Sequence, residues 1–410
     1  MKYKIILFLF LSLLIFSCQP RVKPTKVSRA PQIKVLLSRF NNVDSIRLEG
    51  RYSLQLEEAL YELGKKNNFF YISPSKSGFK FYSDNRLFVF NSNATVTLTP
   101  ENAQDSHFEF HKNWYKGKII LMLGDQQNIL LINQIDLEEY LKTVLVGEMP
   151  SNKDSYFEAL KAQAICARTY ALERMKKNAE KPFHVYSDVR DQVYASLKRQ
   201  TRLASAAVQA TRGVVLMYKD RFARTYFHST CGGMLEDITN YWGGDSIPYL
   251  KSRKDIVGHQ FACQPSPHFR WQKTFSFKQI DSLFQIKFHK SGLSRNPQDT
   301  IALHLTLKVL QRTASGRVKS LEISYADTSV VLNNFSIRKF FSLNGKGALP
   351  SLLFKMQAVN DSTLLISGAG YGHGVGMCQW GALNMSEQGF KYYDILVNQY
   401  FPGTYLKEIY

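Results

Sequence analysis

Cysteine is scarce in this chain, with five in 410 residues, and none stands in the tight C-x-x-C spacing of zinc modules. No apolar run after Phe16 approaches the roughly 20 residues that a bilayer-spanning helix needs. Internal repeats and low-complexity segments are also missing, which speaks against a solenoid. Acidic residues are the minority sign: 33 against 53 Lys and Arg leave a net charge of +20. Such an excess raises the question of nucleic acid. The basic residues are scattered, however, and no DNA- or RNA-binding motif is present, so no nucleic-acid partner is expected. The charge suits anionic lipid headgroups or an anionic polymer instead.

What is present begins at the N-terminus. Lys2 and Lys4 precede an apolar run from Ile5 to Phe16, broken only by Ser12, that ends at Ser17-Cys18. A basic segment, a short apolar segment and a small residue at the cleavage point make a secretory signal. Ile15-Phe16-Ser17-Cys18 resembles a bacterial lipobox, and no A-x-A site lies nearby. Cys18 is therefore expected to carry lipid and to be the first mature residue; an ordinary signal peptide with an incidental cysteine is the alternative. Residues 19–31, rich in Pro, Lys and Arg, read as a flexible tether. The expectation is an exported protein, lipid-anchored in the cell envelope on the periplasmic face of the inner or outer membrane. In that compartment Cys166, Cys231, Cys263 and Cys378 can oxidise, with three possible pairings.

Residues 32–408 form the folded body. Ile33–Leu37, Ser45–Leu48, Phe79–Phe81, Arg86–Phe90, Thr95–Leu98, Lys118–Leu123 and Asn128–Ile132 are short alternating or apolar runs, so 32–134 reads as strand-rich, with a short helix near 55–64. Leu137, Tyr140, Leu141, Val144 and Leu145 then share one helical face. Asp136 with Glu139 makes a capping box, and Gly147 and Pro150 bound the helix end. A second helix, capped by Ser155 with Glu158, runs to about Lys177, its alanines allowing close approach. A third spans about 201–211, before strands at 214–218 and 224–228. Residues 272–340 read as an inserted layer of one helix and two strands, 301–309 and 318–325. Residues 341–408 hold a glycine-rich loop and helices at 378–387 and 392–399. The fold class is α+β: a strand-rich N-terminal part, a helical catalytic segment (135–271) and a mixed C-terminal part around a central cleft.

Three places carry chemistry. Glu148 sits at a Gly/Pro-punctuated turn between helices, where Val146, Met149 and Pro150 can shelter a carboxyl and raise its pKa, as a general acid requires; a solvated surface role is the plain alternative. In Gly370-Tyr371-Gly372-His373-Gly374-Val375-Gly376-Met377, four glycines alternate with larger residues, which suits a rigid loop lining a site. His373 fits a site residue there, or a hydrogen-bonded core histidine. Gln379 and Trp380 set an amide beside an aromatic, as sugar binding favours, though Trp380 equally fits core packing. The third place is His228 and Cys231, with Cys263 and His268 further on. A structural zinc on His228, Cys231 and Cys263 competes with a Cys231–Cys263 disulfide.

Several blocks occur in the order characteristic of one family: VGEMPSNKDSYFEALKAQAICARTYAL from Val146, DQVYAS from Asp191, ATRGVVLMY from Ala210, YFHSTCGGMLED from Tyr226 and GYGHGVGMCQWGA from Gly370. YFPGTYL from Tyr400 is a weaker tail. Together they resemble the stage II sporulation protein D (SpoIID) family, which also takes in amidase enhancers, over about Ile33 to Leu406. The resemblance implies a lytic transglycosylase acting on glycan strands stripped of stem peptides, with its catalytic glutamate at Glu148 and no cofactor needed for catalysis. It further implies substrate contacts at Lys161 and Arg168, although both, and Lys161 above all, also fit a plain salt bridge on the helix surface, and it implies zinc near the HSTCGG block; on the enzyme reading Gln192, Tyr194, Tyr371 and the glycine loop line the cleft. Cys166 and Cys378 stand where the family more often has Ala or Ser, and read as packing substitutions. Residues 272–340 match only through Ser315-Gly316-Arg317-Val318. Expected partners are peptidoglycan glycan, a membrane through the anchor, and a cell-wall amidase. A glycan-binding enhancer that does not cut is the runner-up. A metal-dependent hydrolase at His228 and Cys231 is a weaker third reading, because no carboxylate-rich open site is visible.

Overall fold

The computed structural model describes residues 29–56, 59–64, 68–288, 305–325, 328–342 and 347–410. The signal segment, Cys18, most of the tether and the start of the 301–309 strand lie outside them. Among the described residues, twelve strands precede the first α-helix: β1 (Gln32–Phe40), β2 (Asp44–Glu49), β3 (Tyr52–Leu56), β4 (Ala59–Leu63), β5 (Asn68–Ser75), β6 (Gly78–Ser83), β7 (Arg86–Asn91), β8 (Thr95–Pro100), β9 (His107–Phe110), β10 (Asn113–Tyr115), β11 (Lys118–Leu123) and β12 (Ile129–Asp136). With β13 (Val185–Tyr186) they build two sheets, ordered β13-β1-β12-β11-β8-β3-β4 and β10-β9-β2-β5-β6-β7. Ile33 and Val35 of the first share one core with Ile46, Leu48, Phe70 and Phe81 of the second.

β12 is covered on both faces, which explains its unbroken apolar run. Ile129 and Leu131 enter the main core, while Leu130 and Ile132 join Leu36, Ile120 and Phe183 on the other side. The helix expected near 55–64 is instead the β3–β4 pair, with Tyr52 opposite Leu63. Tyr52, Leu54 and Leu63 are buried. Burying such side chains is worth about 1.5–3 kcal/mol each, against helix preferences of at most about 0.7 kcal/mol per ordinary residue.

Seven α-helices are described: α1 (Leu137–Glu148), α2 (Phe157–Lys177), α3 (Arg202–Ala210), α4 (Ile238–Trp242), α5 (Phe277–Phe288), α6 (Phe335–Phe340) and α7 (Gln379–Glu387). The Asp136 carboxylate caps α1, accepting from the Glu138 and Glu139 amides. Ser155 does not cap α2; a 3-10 turn over Asp154–Tyr156 leads into the helix, and Glu158 accepts from the Tyr392 amide instead. Ala159, Ala162, Ala164, Ala167 and Ala171 of α2 are fully buried, so neighbours pack close to its backbone. Of the strand expected at 224–228 only Phe227–His228 forms, parallel to Met377–Cys378. The final helix, Asp394–Tyr400, is of the π type.

The layer after residue 270 has its own core, including Ile280, Phe284, Val318, Leu321 and Ile337. That core also takes in Leu349, Phe354 and Ile366, so the layer reaches past residue 340, where the sequence placed its end. Its first and last strands, Trp271–Ser276 and Thr363–Gly368, pair antiparallel with Trp271 opposite Gly368. A cavity of about 590 Å³ opens in this layer, lined by Lys273, Phe275, Lys278, Leu283 and Phe341 among others. None of the residues singled out in the sequence lines it.

Candidate active site

Glu148 is the last residue of α1. Pro150 disfavours helical backbone at the residue before it, and Met149 is extended (φ −135°, ψ 149°). At Gly147 a Cβ would lie 2.4 Å from the Val193 carbonyl, so glycine is what lets the 190s segment cross tightly over the helix end. That crossing brings the Val193 N–H to donate to Glu148 Oε1 at 2.7 Å. Burial pushes the Glu148 carboxyl up to about 7, although the Val193 amide and the Gln379 carboxamide each pull it down. The Gln379 nitrogen is buried and closes no hydrogen bond of its own among the described residues, so its hold on Glu148 is weak. The negative end of the α1 dipole acts in the same direction as burial.

Gln379 opens α7, directly after the glycine loop. Gly370, Gly372, Gly374 and Gly376 all have positive φ, and a Cβ at Gly376 would meet the Tyr226 carbonyl at 2.1 Å. The loop therefore runs tightly beside residues 226–233, with Tyr371 and Thr230 exchanging backbone hydrogen bonds. His373 Nδ1 accepts from the Val375 N–H at 3.0 Å. Burial holds its pKa down at about 3, so the ring is neutral at physiological pH. Its face meets Trp242 at 4.8 Å and Tyr241 at 5.7 Å, and Tyr226 stacks on Trp242 at 4.7 Å. Trp242 is 49% exposed. This aromatic wall escaped the sequence reading; its signal was Tyr241-Trp242 followed by two glycines.

Several residues expected at the substrate are buried or paired within the protein. Gln192 is buried, accepting from the Tyr140 hydroxyl and donating to the Ala167 carbonyl. Tyr194 is buried too, its hydroxyl donating to Asn133 at 2.8 Å. These two flank Val193, whose amide meets Glu148, and their side chains are tied into the core on either side of it. Arg168 is fully buried, with Nε and Nη2 on the Glu138 carboxylate at 2.7 and 2.8 Å and Nη1 on the Val214 carbonyl. It is a core ion pair. Lys161 pairs with Glu158 at 2.7 Å and sits over Phe157 and Tyr392. Trp380 is half-buried against the main core, and Tyr371 is exposed beside His268.

The cysteine segment also differs from expectation. Cys231, Cys263, Cys378 and Asp255 converge, with ligand atoms all within 4.8 Å of one another. His228 does not join them: its Nδ1 donates to the Val375 carbonyl at 3.1 Å. Cys378, read as a packing substitution, stands inside the cluster, and Cys166 is buried separately in α2.

Fold and site together define an α+β protein that holds a carboxyl of raised pKa next to the helix that follows a glycine-rich loop. The family model described as SpoIID, Stage II sporulation protein, matches residues 125–218, and a domain of unknown function (DUF8618) matches 256–376. An uncharacterized protein of Brachyspira hyodysenteriae is 31% identical over 297 residues, covering 71% of each chain. Stage II sporulation protein D of Bacillus amyloliquefaciens is 31% identical over 292 residues, which is 68% of this chain and 76% of that protein. An amidase enhancer of Bacillus subtilis is 28% identical over 300 residues, 65% of this chain but 40% of the enhancer's length. The chain belongs to the stage II sporulation protein D family.

Proposed function

We propose that this protein is a lytic transglycosylase of the cell envelope. In this reading it cleaves MurNAc-GlcNAc strands, already stripped of peptides, to 1,6-anhydro-MurNAc ends. The observation that carries the proposal is Glu148: a carboxyl whose pKa burial raises to about 7, held in place by the Val193 amide. Hydrolytic glycosidases use a pair. A single carboxyl suffices when the sugar's own C6 hydroxyl is the nucleophile. Glu148 gives its proton to the glycosidic oxygen as the C1–O bond breaks. The C6 oxygen then bonds to C1, and its proton returns to Glu148, restoring the acid without water. Such a relay works best with a pKa near the working pH. The Val193 amide fixes the carboxyl, and the wall of Tyr226, Tyr241 and Trp242 offers apolar faces to sugar rings. Family membership supports a cell-wall role, and the Cys18 anchor would keep the enzyme at the membrane.

The test is product analysis by mass spectrometry with denuded glycan and intact sacculi. The wild-type protein should release anhydro ends from denuded glycan, and Glu148→Gln should abolish release while still folding and retaining glycan in pull-downs. Equal release by the variant would end the proposal. The similarity to an amidase enhancer favours a second reading, in which the chain holds glycan and activates an amidase. Neither protein would then cut alone, and both would accelerate the amidase.

A further inference from the structure

The second N-terminal sheet leaves an apolar face uncovered, and glycan cleavage gives that face no task. Side chains alternate sides along a strand. In β5, β6 and β7 one set, Phe70, Ile72, Phe79, Phe81 and Phe90, is buried in the main core. The residues between them therefore point away from the first sheet. Among these, Phe69, Tyr71, Leu87 and Val89 are 40–62% exposed. Register sets them side by side: Tyr71 stands opposite Tyr82, Tyr82 opposite Leu87, and Lys80 opposite Val89. Three adjacent strands thus share one patch, and β7 ends the sheet among the described residues. Contiguous exposed apolar surface of this kind marks a place of interaction. We propose that this face rests on the membrane, against anionic phospholipid.

The chemistry of the patch selects lipid over the alternatives. Tyr71 and Tyr82 stack on one another at 5.5 Å, and the Arg47 guanidinium lies over the Phe69 ring at 5.8 Å. A face of each ring is already taken, and Leu87 and Val89 beside them have none to offer. That suits a fluid apolar phase better than a pyranose ring. Tyrosines favour the boundary between acyl chains and headgroups. Lys80 is exposed in the midst of the patch. Pressed against a second copy of the chain, its charge would have to leave water. At a bilayer its long stem lies along the apolar layer while the ammonium stays among the phosphates.

The chain ahead of the sheets favours the same occupant. Thirteen residues, 19–31, separate Cys18 from β1, and they include Arg21, Lys23, Lys26 and Arg29 but no acidic residue. Basic segments next to a membrane are drawn to anionic headgroups. At 3.3–3.6 Å per residue the segment spans at most roughly 45 Å. So short a link keeps the patch at an effective concentration on the order of millimolar near the surface, where a weak contact suffices. This geometry rests on the reading of Cys18 as a lipid anchor; the affinity of the patch itself does not. The contact holds the folded body against the bilayer instead of loose at the end of its link.

The test uses the chain from residue 19 onward, held by an N-terminal polyhistidine tag on vesicles containing a nickel-chelating lipid. The bulk lipid is phosphatidylcholine with phosphatidylglycerol at about 3:1, to supply negative charge. Cys166, Cys231, Cys263 and Cys378 are buried, so Val89→Cys takes an environment-sensitive fluorophore selectively. Val359→Cys, at a position equally exposed in the layer after residue 270, is the control. The probe at position 89 should shift to the blue and be quenched by nitroxide-labelled lipid, while the probe at position 359 stays unchanged. Tyr71→Ser with Leu87→Ser should weaken binding of the untagged chain to the same vesicles about tenfold, with the circular dichroism unaltered. Equal quenching at both positions, or at neither, would overturn the proposal. So would a response at position 89 that follows protein concentration without vesicles, which means a second copy, or one that requires denuded glycan. A native chain with no lipid on Cys18 would refute the anchor alone, because the tag replaces it here. None of these readouts depends on the activity of Glu148.

Discussion

At the scale of the residue, the half-buried Glu148 holds its proton more tightly than a free carboxyl because burial disfavours its charge and the helix end beneath it is negative. Its folded-state pKa of about 7 stands above the ordinary 4.5. The folded protein therefore binds this proton more tightly than the unfolded chain, and the resulting stability is present below pH 4.5 and lost as pH rises through 7. Above pH 7 the loss amounts to about 3 kcal/mol. Glu148→Gln, which preserves an acceptor for the Val193 amide, should thus melt higher than wild type at pH 8, and the gap should close towards pH 4.5. Calorimetry across that range checks it. Wild-type kcat/KM on denuded glycan should fall about tenfold per pH unit above 7, as the acid form is lost. Glu148 itself was legible in the sequence, from its Gly/Pro turn and the family blocks. Arg168, Gln192 and Tyr194 were singled out equally well, and the structure buries all three. A motif marks which side chains the architecture needs, whereas whether they face solvent or core is decided by segments far away, such as Glu138 for Arg168 and Asn133 for Tyr194.

At the scale of the element, the legible pieces are those whose burial follows one local period: the alternating strands of the N-terminal sheets and the apolar face of α1. The β3–β4 pair was misread because its residues tolerate a helix and only the neighbouring β8 selects the strand, with Leu54 opposite Leu98. The aromatic wall was missed for a related reason. Tyr226 comes from the segment before the Phe227–His228 strand, Tyr241 and Trp242 from the five-residue α4, and His373 from the glycine loop, so no sequence window contains it. Trp242→Ala should raise KM for glycan by roughly 2–12-fold, the worth of one aromatic contact at about 0.5–1.5 kcal/mol, with kcat little changed. Steady-state kinetics on soluble glycan oligomers, with circular dichroism to confirm folding, distinguishes this from a loss of chemistry.

At the scale of the whole molecule, the net charge of +20 acts as a diffuse field. Exposed charges are screened over about 10 Å at 0.1 M salt and about 3 Å at 1 M. Retention on sacculi bearing anionic polymers should therefore fall steadily between those concentrations, while sacculi stripped of the polymers should show little salt dependence. Co-sedimentation at graded salt measures both. The layer from Trp271 to Gly368 has a different global meaning, because its entrance and exit are hydrogen-bonded neighbours. A unit entered and left at one doorway can change length far from it with little disturbance to the framework behind, provided its ties to residues 231–241 through Thr313, Ser315, Arg317 and Asn334 are kept.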